Sequence, residues 1–175
     1  MRIIIARHAK AEDHEKRERD EDRKLVGDGR EQAKLLGRVL KATGQAPDEI
    51  WTSPLIRCVE TAEIAARELG KTVSIRTVQQ LAPGADRDEI AFLASKSGLT
   101  RLMIVGHAPD VGLLAAALYG FKGEHNVKKG AFTLVEISNP LKPPGRCVAS
   151  LEPKQYQAVL AGEMPIPWTK TGLTV

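Results

Sequence analysis

The sequence has few aromatic residues, only 4% of 175, and so few side chains for stacking on nucleic-acid bases. Its only two cysteines, Cys58 and Cys147, cannot form a CxxC metal or redox motif. No apolar run approaches the length of a membrane span, and the first residues are too short an apolar run for a signal peptide. We therefore expect a cytoplasmic protein with free thiols and no membrane partner.

The charge balance is only mildly basic. Lysine and arginine number 26 against 22 acidic residues, giving a net charge of +4 and a pI near 9.1. This excess is too weak to indicate nucleic acid as a partner, so a nucleic-acid binder ranks last among the function classes. With 42% hydrophobic and 27% charged residues, we expect a single domain over residues 1–175.

One stretch of mixed charge stands out, residues 10–24, which read KAEDHEKRERDEDRK. Its net charge is −1, so the rest of the chain carries +5. Such a run is typical of a solvated loop or a short exposed helix. The alternative is a charged flap beside a functional site.

Short, continuously apolar runs predict strands that are covered on both faces, as in parallel sheets. Helical patterns lie between them, in the βαβ rhythm of an α/β fold. Two later runs around a proline-rich turn predict an antiparallel hairpin at a sheet edge. We expect a three-layer αβα sandwich with a mostly parallel central sheet, helices on both faces and an antiparallel edge. The predicted strands are residues 2–6, 49–52, 73–76, 102–105, 131–137 and 146–151.

Capping signals predict where the helices begin. Asp28 with Glu31 forms a capping-box pattern for a helix over 29–40, and Ser53 before Pro54 predicts a helix that runs to about residue 69. Further starts are predicted at Asp86 and Asp110, the latter for a helix that ends at Gly120; a last helix is predicted over 154–161, before an irregular tail.

Basic side chains follow three of the predicted strands. Arg7 and His8 come after the first, Ser53 and Arg57 after the second, and His107 after the fourth. Since ligands of open parallel sheets bind beyond the carboxyl ends of the strands, we expect these residues to converge. Arginine forks match phosphate oxygens, and a helix start adds backbone N–H groups. The pattern therefore predicts a phosphate site.

Histidine can be a neutral nucleophile near pH 7 and a charged donor just below it. One imidazole could attack phosphorus while the other stabilises the oxygens. No carboxylate cluster suggests a Mg²⁺ site, and there is no GxxxxGK[ST] loop, so we expect phosphoryl transfer with no metal and no cofactor.

Several residues keep two interpretations. Lys10 is a substrate-binding charge at the pocket rim or solvated surface, and Ser53 is a ligand contact or simply a helix cap. Residues 128–130 (KKG) are a loop or a basic patch lining the site. His14 and His125 are expected at the surface, and Cys58 as a packed small residue rather than a reactive thiol.

Together these motifs resemble the histidine phosphatase superfamily, with its phosphoglycerate mutase-like fold. They are RHA at 7–9, SPLIRCVETAE at 53–63 and VGHAP at 105–109. RHAKAE at 7–12, DRKLVGDGREQA at 22–33 and LAPGAD at 81–86 are similar to the small SixA-type phosphohistidine phosphatases. The resemblance implies that His8 is the nucleophile, that Arg7 and Arg57 hold the phosphoryl oxygens, and that His107 stabilises the transition state.

The resemblance also implies a general acid: in many members of the superfamily, a glutamate in the segment after the third strand protonates the leaving group. Here that segment is VQQLAPGAD, with Gln79 and Gln80 and no glutamate, so the acid stays unassigned. An imidazole leaving group demands less from an acid than an alkoxide does. We therefore expect a phosphohistidine-bearing protein as substrate and inorganic phosphate as product. The alternatives are a phosphatase of a small phosphomonoester and a non-catalytic phosphate-binding module.

Overall fold

The computed structural model describes residues 1–13, 19–70, 72–123 and 125–165. These residues form a six-stranded sheet in the order β3-β2-β4-β1-β5-β6. Neighbours among β1 to β4 are parallel, whereas β5 runs antiparallel to β1, and β6 to β5. The strands are β1 (Arg2–Arg7), β2 (Glu49–Thr52), β3 (Ser74–Thr77), β4 (Arg101–Gly106), β5 (Phe132–Glu136) and β6 (Arg146–Leu151).

Helices cover both faces of this sheet. Successive side chains of a strand point to opposite faces, so alternate residues of a strand pack against different helices. Ile3 and Ile5 pack with residues of α3 and α4, whereas Ile4 and Ala6 pack with residues of α1, α2 and α5. The predicted α/β three-layer fold is confirmed. The helices are α1 (Gly27–Ala42), α2 (Ile56–Glu68), α3 (Arg87–Lys96), α4 (Asp110–Tyr119) and α5 (Pro153–Leu160).

The later helices begin and end close to the predicted residues. Asp86 caps α3 by accepting hydrogen bonds from the N–H groups of Asp88 and Glu89, and α4 ends at Gly120 with a φ of 77°. The predicted hairpin is the β5–β6 pair. No helix in the described ranges is long and apolar enough to cross a membrane.

The predicted starts of the first two helices were wrong. Helix α1 begins at Gly27 with Val26 as its N-cap, so Asp28 lies inside the first turn, where its carboxylate binds Lys10 Nζ at 2.8 Å. Helix α2 begins at Ile56, with Leu55 as its N-cap. Ser53 is therefore outside the helix and continues the sheet, where its N–H donates to the Val105 carbonyl at 3.0 Å.

Parallel pairing brings three strand ends to one edge of the sheet. Arg7 at the end of β1 is opposite Gly106 at the end of β4, and Thr52 at the end of β2 is opposite Val105. The segments that follow β1, β2 and β4 therefore emerge side by side. Residues 14–18, with His14, and most of the predicted tail lie outside the described residues.

Candidate active site

A cavity of about 310 Å³ opens at this carboxyl edge of the sheet. It brings together four of the predicted residues: two from the end of β1, one that follows β4 and one from the first turn of α2. Basic residues predominate in its lining, which consists of Arg7, His8, Asp20, Arg23, Arg57, Pro83, His107, Ala108 and Lys129.

His8 follows β1, and its main chain is held on both sides. Its N–H donates to the Gly106 carbonyl, and its own carbonyl accepts from the Gly130 N–H, both at 3.0 Å. Gly130 has a φ of 74°, a backbone conformation that favours glycine. The His8 Nδ1 lies 2.8 Å from the Ala9 carbonyl oxygen, which can only accept, so Nδ1 carries the proton. The lone pair of the ring is therefore on Nε2, as a nucleophile requires.

His107 follows β4, and its ring centroid lies 5.4 Å from that of His8. Its Nδ1 is 3.3 Å from Arg57 Nη2, and a guanidinium only donates, so Nδ1 is the acceptor. Its Nε2 then carries the proton and donates to Ser53 Oγ at 2.8 Å. Ser53 is fully buried at 0% exposure. The structure thus places Ser53 behind the His107 ring, rather than in the cavity where a ligand would contact it.

Arg7 and Arg57 each carry a buried donor with no hydrogen-bond partner among the described residues, the Nε atom of the guanidinium. The Nη1 of Arg7 donates to the Val127 carbonyl at 3.3 Å. Buried polar groups are normally paired, and an unpaired buried N–H costs on the order of 1–3 kcal/mol. Such donors beside a basic cavity are suited to an anion.

Arg57 also holds Asp20, a cavity residue for which the sequence analysis named no role. Its Nη1 donates to the Asp20 main-chain carbonyl at 2.7 Å, and its Nη2 to the Asp20 Oδ2 at 2.8 Å. Arg23 Nη1 donates to the other carboxylate oxygen at 2.7 Å. The charged run therefore reaches the cavity through Asp20 and Arg23, as the flap interpretation requires. The stretch from residue 22 that resembles SixA-type proteins includes Arg23 but not Asp20.

Lys10 was predicted at the pocket rim, but a different lysine lines the cavity. The Lys10 side chain is half-exposed and paired with Asp28, and it does not line this cavity. Lys129 does line it, whereas its neighbour Lys128 pairs with Glu152. Within KKG, one lysine thus belongs to the basic lining and the other to an ion pair at the surface.

His125 and Cys58 are both held by neighbours. His125, predicted at the surface, is half-buried, and its ring nitrogens lie 3.0 Å from the Tyr119 hydroxyl and 2.7 Å from Thr133 Oγ1. Cys58 is buried, with its Sγ 3.5 Å from the His107 Nε2. Burial raises the pKa of this thiol to about 12, as expected for a packed residue rather than a nucleophile.

Both cavity imidazoles are neutral near pH 7. Burial, helped by the positive charges of Arg57 and Arg7, lowers the pKa of His8 to about 3. Burial likewise lowers the pKa of His107 to about 4, with Arg57 again adding to the shift. Across the described ranges, no three His, Cys, Asp or Glu side chains cluster as a metal-ligand set.

These depressed pKa values predict a loss of stability in mild acid. An unfolded histidine takes up a proton near pH 6.5, whereas folded His8 and His107 do not until about pH 3 and 4. The unfolded state therefore gains protons first, and the free energy of unfolding should fall as the pH drops from 6.5 to 4.5. Thermal melts across this pH range should show a smaller fall in Tm for His8→Asn than for wild type. Equal falls would contradict the lowered pKa of His8.

Two histidines and two arginines surround one cavity at the edge of an α/β sheet. Such a cavity is suited to a tetrahedral oxyanion. The sequence profile of the histidine phosphatase superfamily (branch 1) matches residues 3–82. An uncharacterized protein of Picosynechococcus sp. is 38% identical over 137 residues, which span 74% of this chain and 81% of that protein. The chain belongs to the histidine phosphatase superfamily.

Solved structures share the fold. The protein histidine phosphatase SixA complexed with tungstate has a TM-score of 0.80 and 22% identity, over 89% of this chain and 99% of that one. The alpha-ribazole phosphatase from Shigella flexneri has 0.62 and 18%, over 80% and 92%. A mycobacterial glucosyl-3-phosphoglycerate phosphatase has 0.57 and 19%, over 77% and 89%. These similarities confirm the expected phosphoglycerate mutase-like, SixA-like fold.

Proposed function

We propose that this protein is a phosphatase that acts through a phosphohistidine on His8 and dephosphorylates phosphohistidine on a protein. The observation that carries the proposal is the His8 Nε2 lone pair, in one cavity with Arg7, Arg57 and His107. The protonated Nδ1 holds the ring through the Ala9 carbonyl, and the low pKa keeps the nucleophile neutral. No metal or cofactor is part of the proposal, because the arginines supply the positive charge.

The reaction proceeds in two displacements at phosphorus. His8 Nε2 forms a bond to phosphorus while the bond to the leaving nitrogen or oxygen breaks. Arg7 and Arg57 bind the equatorial oxygens, whose dianionic charge favours a proton on His107 Nδ1, which then donates to the phosphoryl group. Water next attacks the phosphorus of phosphorylated His8. The bond from phosphorus to Nε2 breaks, its electron pair returns to Nε2, and both protons of the water leave with inorganic phosphate as H2PO4⁻.

The carboxylate content of the cavity favours an N-linked phosphate. Asp20 is the one carboxylate among the described residues that line it. Burial raises the pKa of Asp20, but hydrogen bonds from Arg23 and Arg57 outweigh this effect and hold it at about 2. Asp20 is therefore ionised at neutral pH and has no proton to give. Phosphohistidine protonated on its second ring nitrogen leaves as neutral imidazole, and so needs no acid from the enzyme.

A small phosphomonoester is the second candidate substrate. Structures of phosphatases named for alpha-ribazole and for glucosyl-3-phosphoglycerate share this fold, so the fold admits substrates of different size. A cytoplasmic location stays part of our proposal and is supported by the two free cysteines, Cys58 and Cys147.

Trapping of the phosphoenzyme tests the reaction class. The protein is incubated briefly with ³²P-labelled phosphoramidate and quenched at alkaline pH, where phosphohistidine survives. We expect acid-labile label on His8 in wild type and none in His8→Asn. Label that survives acid, or that persists in the variant, would refute the covalent step and favour a non-catalytic module.

Competing substrates test the substrate class. A protein phosphorylated on histidine with phosphoramidate is compared with sugar phosphates under identical conditions. We expect kcat/KM to be higher for the phosphohistidine protein by at least about 100-fold, because only the ester needs a general acid. A preference for the sugar phosphates would instead establish the small-molecule phosphatase.

Ser53 is expected to act through His107 rather than on the substrate. Ser53→Ala removes the acceptor that fixes the protonated Nε2 of His107, and should lower kcat up to about 100-fold with little change in KM. Ring ¹⁵N NMR should show a change in the His107 tautomer. Thr52→Val is the matched control, because it removes a fully buried hydroxyl that donates to the Ser53 carbonyl and not to His107. A similar loss in both variants would show a merely structural role.

A further inference from the structure

Asp20 binds the terminal nitrogens of the Arg57 guanidinium, as a phosphoryl group would. Both terminal nitrogens of the Arg57 guanidinium donate to this one residue, Nη1 to its carbonyl at 2.7 Å and Nη2 to its Oδ2 at 2.8 Å. These are the donors with which an arginine forms a bidentate fork on phosphate. A phosphoryl group that binds the terminal nitrogens of Arg57, and not only its unpartnered Nε, must therefore share them with Asp20 or displace it.

Arg23 gives the carboxylate a second, separate anchor. Its Nη1 donates to Asp20 Oδ1 at 2.7 Å, and its Nε donates to the Glu12 carbonyl at 2.5 Å. Arg23 is itself buried, with 7% of its surface exposed. The Asp20 carboxylate thus bridges two arginines, and one of its oxygens can stay on Arg23 while the other leaves Arg57.

On the basis of the proposed function, in which Arg57 binds the phosphoryl group, we propose that Asp20 is a built-in competitor of phosphate for Arg57. It weakens the binding of inorganic phosphate and so speeds product release. The competitor is part of the chain, so its effective concentration at Arg57 is high and independent of the solution. The apparent dissociation constant of phosphate rises in inverse proportion to the fraction of molecules in which Arg57 is available.

The competition also selects for charge. A dianionic phosphoryl group can replace the single charge of the carboxylate and gain on the exchange, because it makes contacts to Arg7 and His107 as well. A monoanionic carboxylate ligand gains little, since it only repeats the contacts of Asp20. The pKa of Asp20, near 2, keeps the competitor ionised at the pH of the assay.

Calorimetric titration with inorganic phosphate tests the proposal. We expect Asp20→Asn to bind phosphate at least about tenfold more tightly than wild type. Asp22→Asn is the matched control, because it removes the same charge from an exposed residue of the same 3₁₀ helix (Asp20–Asp22) and does not line the cavity. Equal affinity in wild type and Asp20→Asn, or equal tightening in both variants, would overturn the proposal.

Arg57→Ala in the same titration separates this proposal from the proposed function. A large loss of phosphate affinity in Arg57→Ala supports the phosphate site, and the comparison of the aspartate variants then decides the role of Asp20. Unchanged affinity in Arg57→Ala would refute the phosphate site itself.

A structural measurement covers the case in which Asp20→Asn fails to fold. A crystal structure of wild type with tungstate at Arg57 should show Asp20 Oδ2 beyond hydrogen-bond distance of Arg57 Nη2, with Oδ1 still on Arg23. A tungstate ion on Arg57 beside an intact Asp20–Arg57 pair would overturn the proposal.

Discussion

Replacing His8 with alanine is expected to lower kcat by at least about 10⁴-fold, the scale on which loss of a covalent nucleophile acts. The physical reason is specific to one atom, the unprotonated Nε2, whose lone pair is secured by the Nδ1 hydrogen bond to Ala9. Arg57 and His107 lie in the same cavity but have no lone pair free for attack, since the His107 Nδ1 lone pair accepts from Arg57. Steady-state assay on the phosphohistidine protein measures the loss.

His125→Gln is the matched control for this variant. His125 is a partly buried histidine that contacts Tyr119 and Thr133 and does not line the cavity, so its replacement should keep the wild-type kcat. Circular dichroism establishes that His8→Ala is folded. A folded His8→Ala variant within tenfold of the wild-type kcat would show that the nucleophile lies elsewhere.

The second large effect is expected at Arg57. Arg57→Ala should lower kcat/KM by about 10³-fold, because it removes donors aimed at developing charge in a buried site where water replaces them poorly. Arg57→Lys should recover only part of the activity, since an ammonium restores the charge but not the planar fork.

Arg38→Ala serves as the control for Arg57. Its Nε lies 2.8 Å from Glu68 Oε2, at the far end of α2, so the variant removes the same charge from the same pair of helices. We expect unchanged kcat/KM for Arg38→Ala. A loss equal to that of Arg57→Ala would assign the effect to net charge rather than to the fork.

The order of strands and helices was predictable from local pattern. Runs such as residues 2–6 are apolar on both faces because both faces of β1 are covered, by α3 and α4 on one side and by α1, α2 and α5 on the other. Asp86 was a correct cap because its partners are its own chain neighbours, Asp88 and Glu89. Signals of this kind depend only on residues a few positions apart.

The predicted caps of α1 and α2 were wrong, because the side chains concerned bind partners that are distant in the sequence. The Asp28 carboxylate binds Lys10, which lies 18 positions earlier in the chain. The Ser53 hydroxyl binds His107, which lies 54 positions later. A capping side chain contributes about 1 kcal/mol, so a tertiary partner of similar strength can replace it. Nothing within four residues of either position reports that partner.

The charged run shows the same limit at the site. Asp20 and Arg23 are two of many alternating charges in residues 10–24, and only the approach of the 3₁₀ helix to α2 singles them out. Asp20 meets Arg57 across 37 positions. The pattern of the run indicated solvated charge and did not identify a carboxylate bound to the Arg57 guanidinium.

The sequence by itself determined that Arg7, His8 and His107 would converge, because parallel strands end at one edge and these residues follow β1 and β4 directly. It also determined that Arg57 would lie in the first turn beyond β2. Only the tertiary structure decided which nitrogen of each imidazole holds the proton, that Ser53 stands behind His107, and that Asp20 lies on Arg57. Hydrogen bonds are made or lost within a few tenths of an ångström, and such distances depend on the packing of segments far apart in the chain.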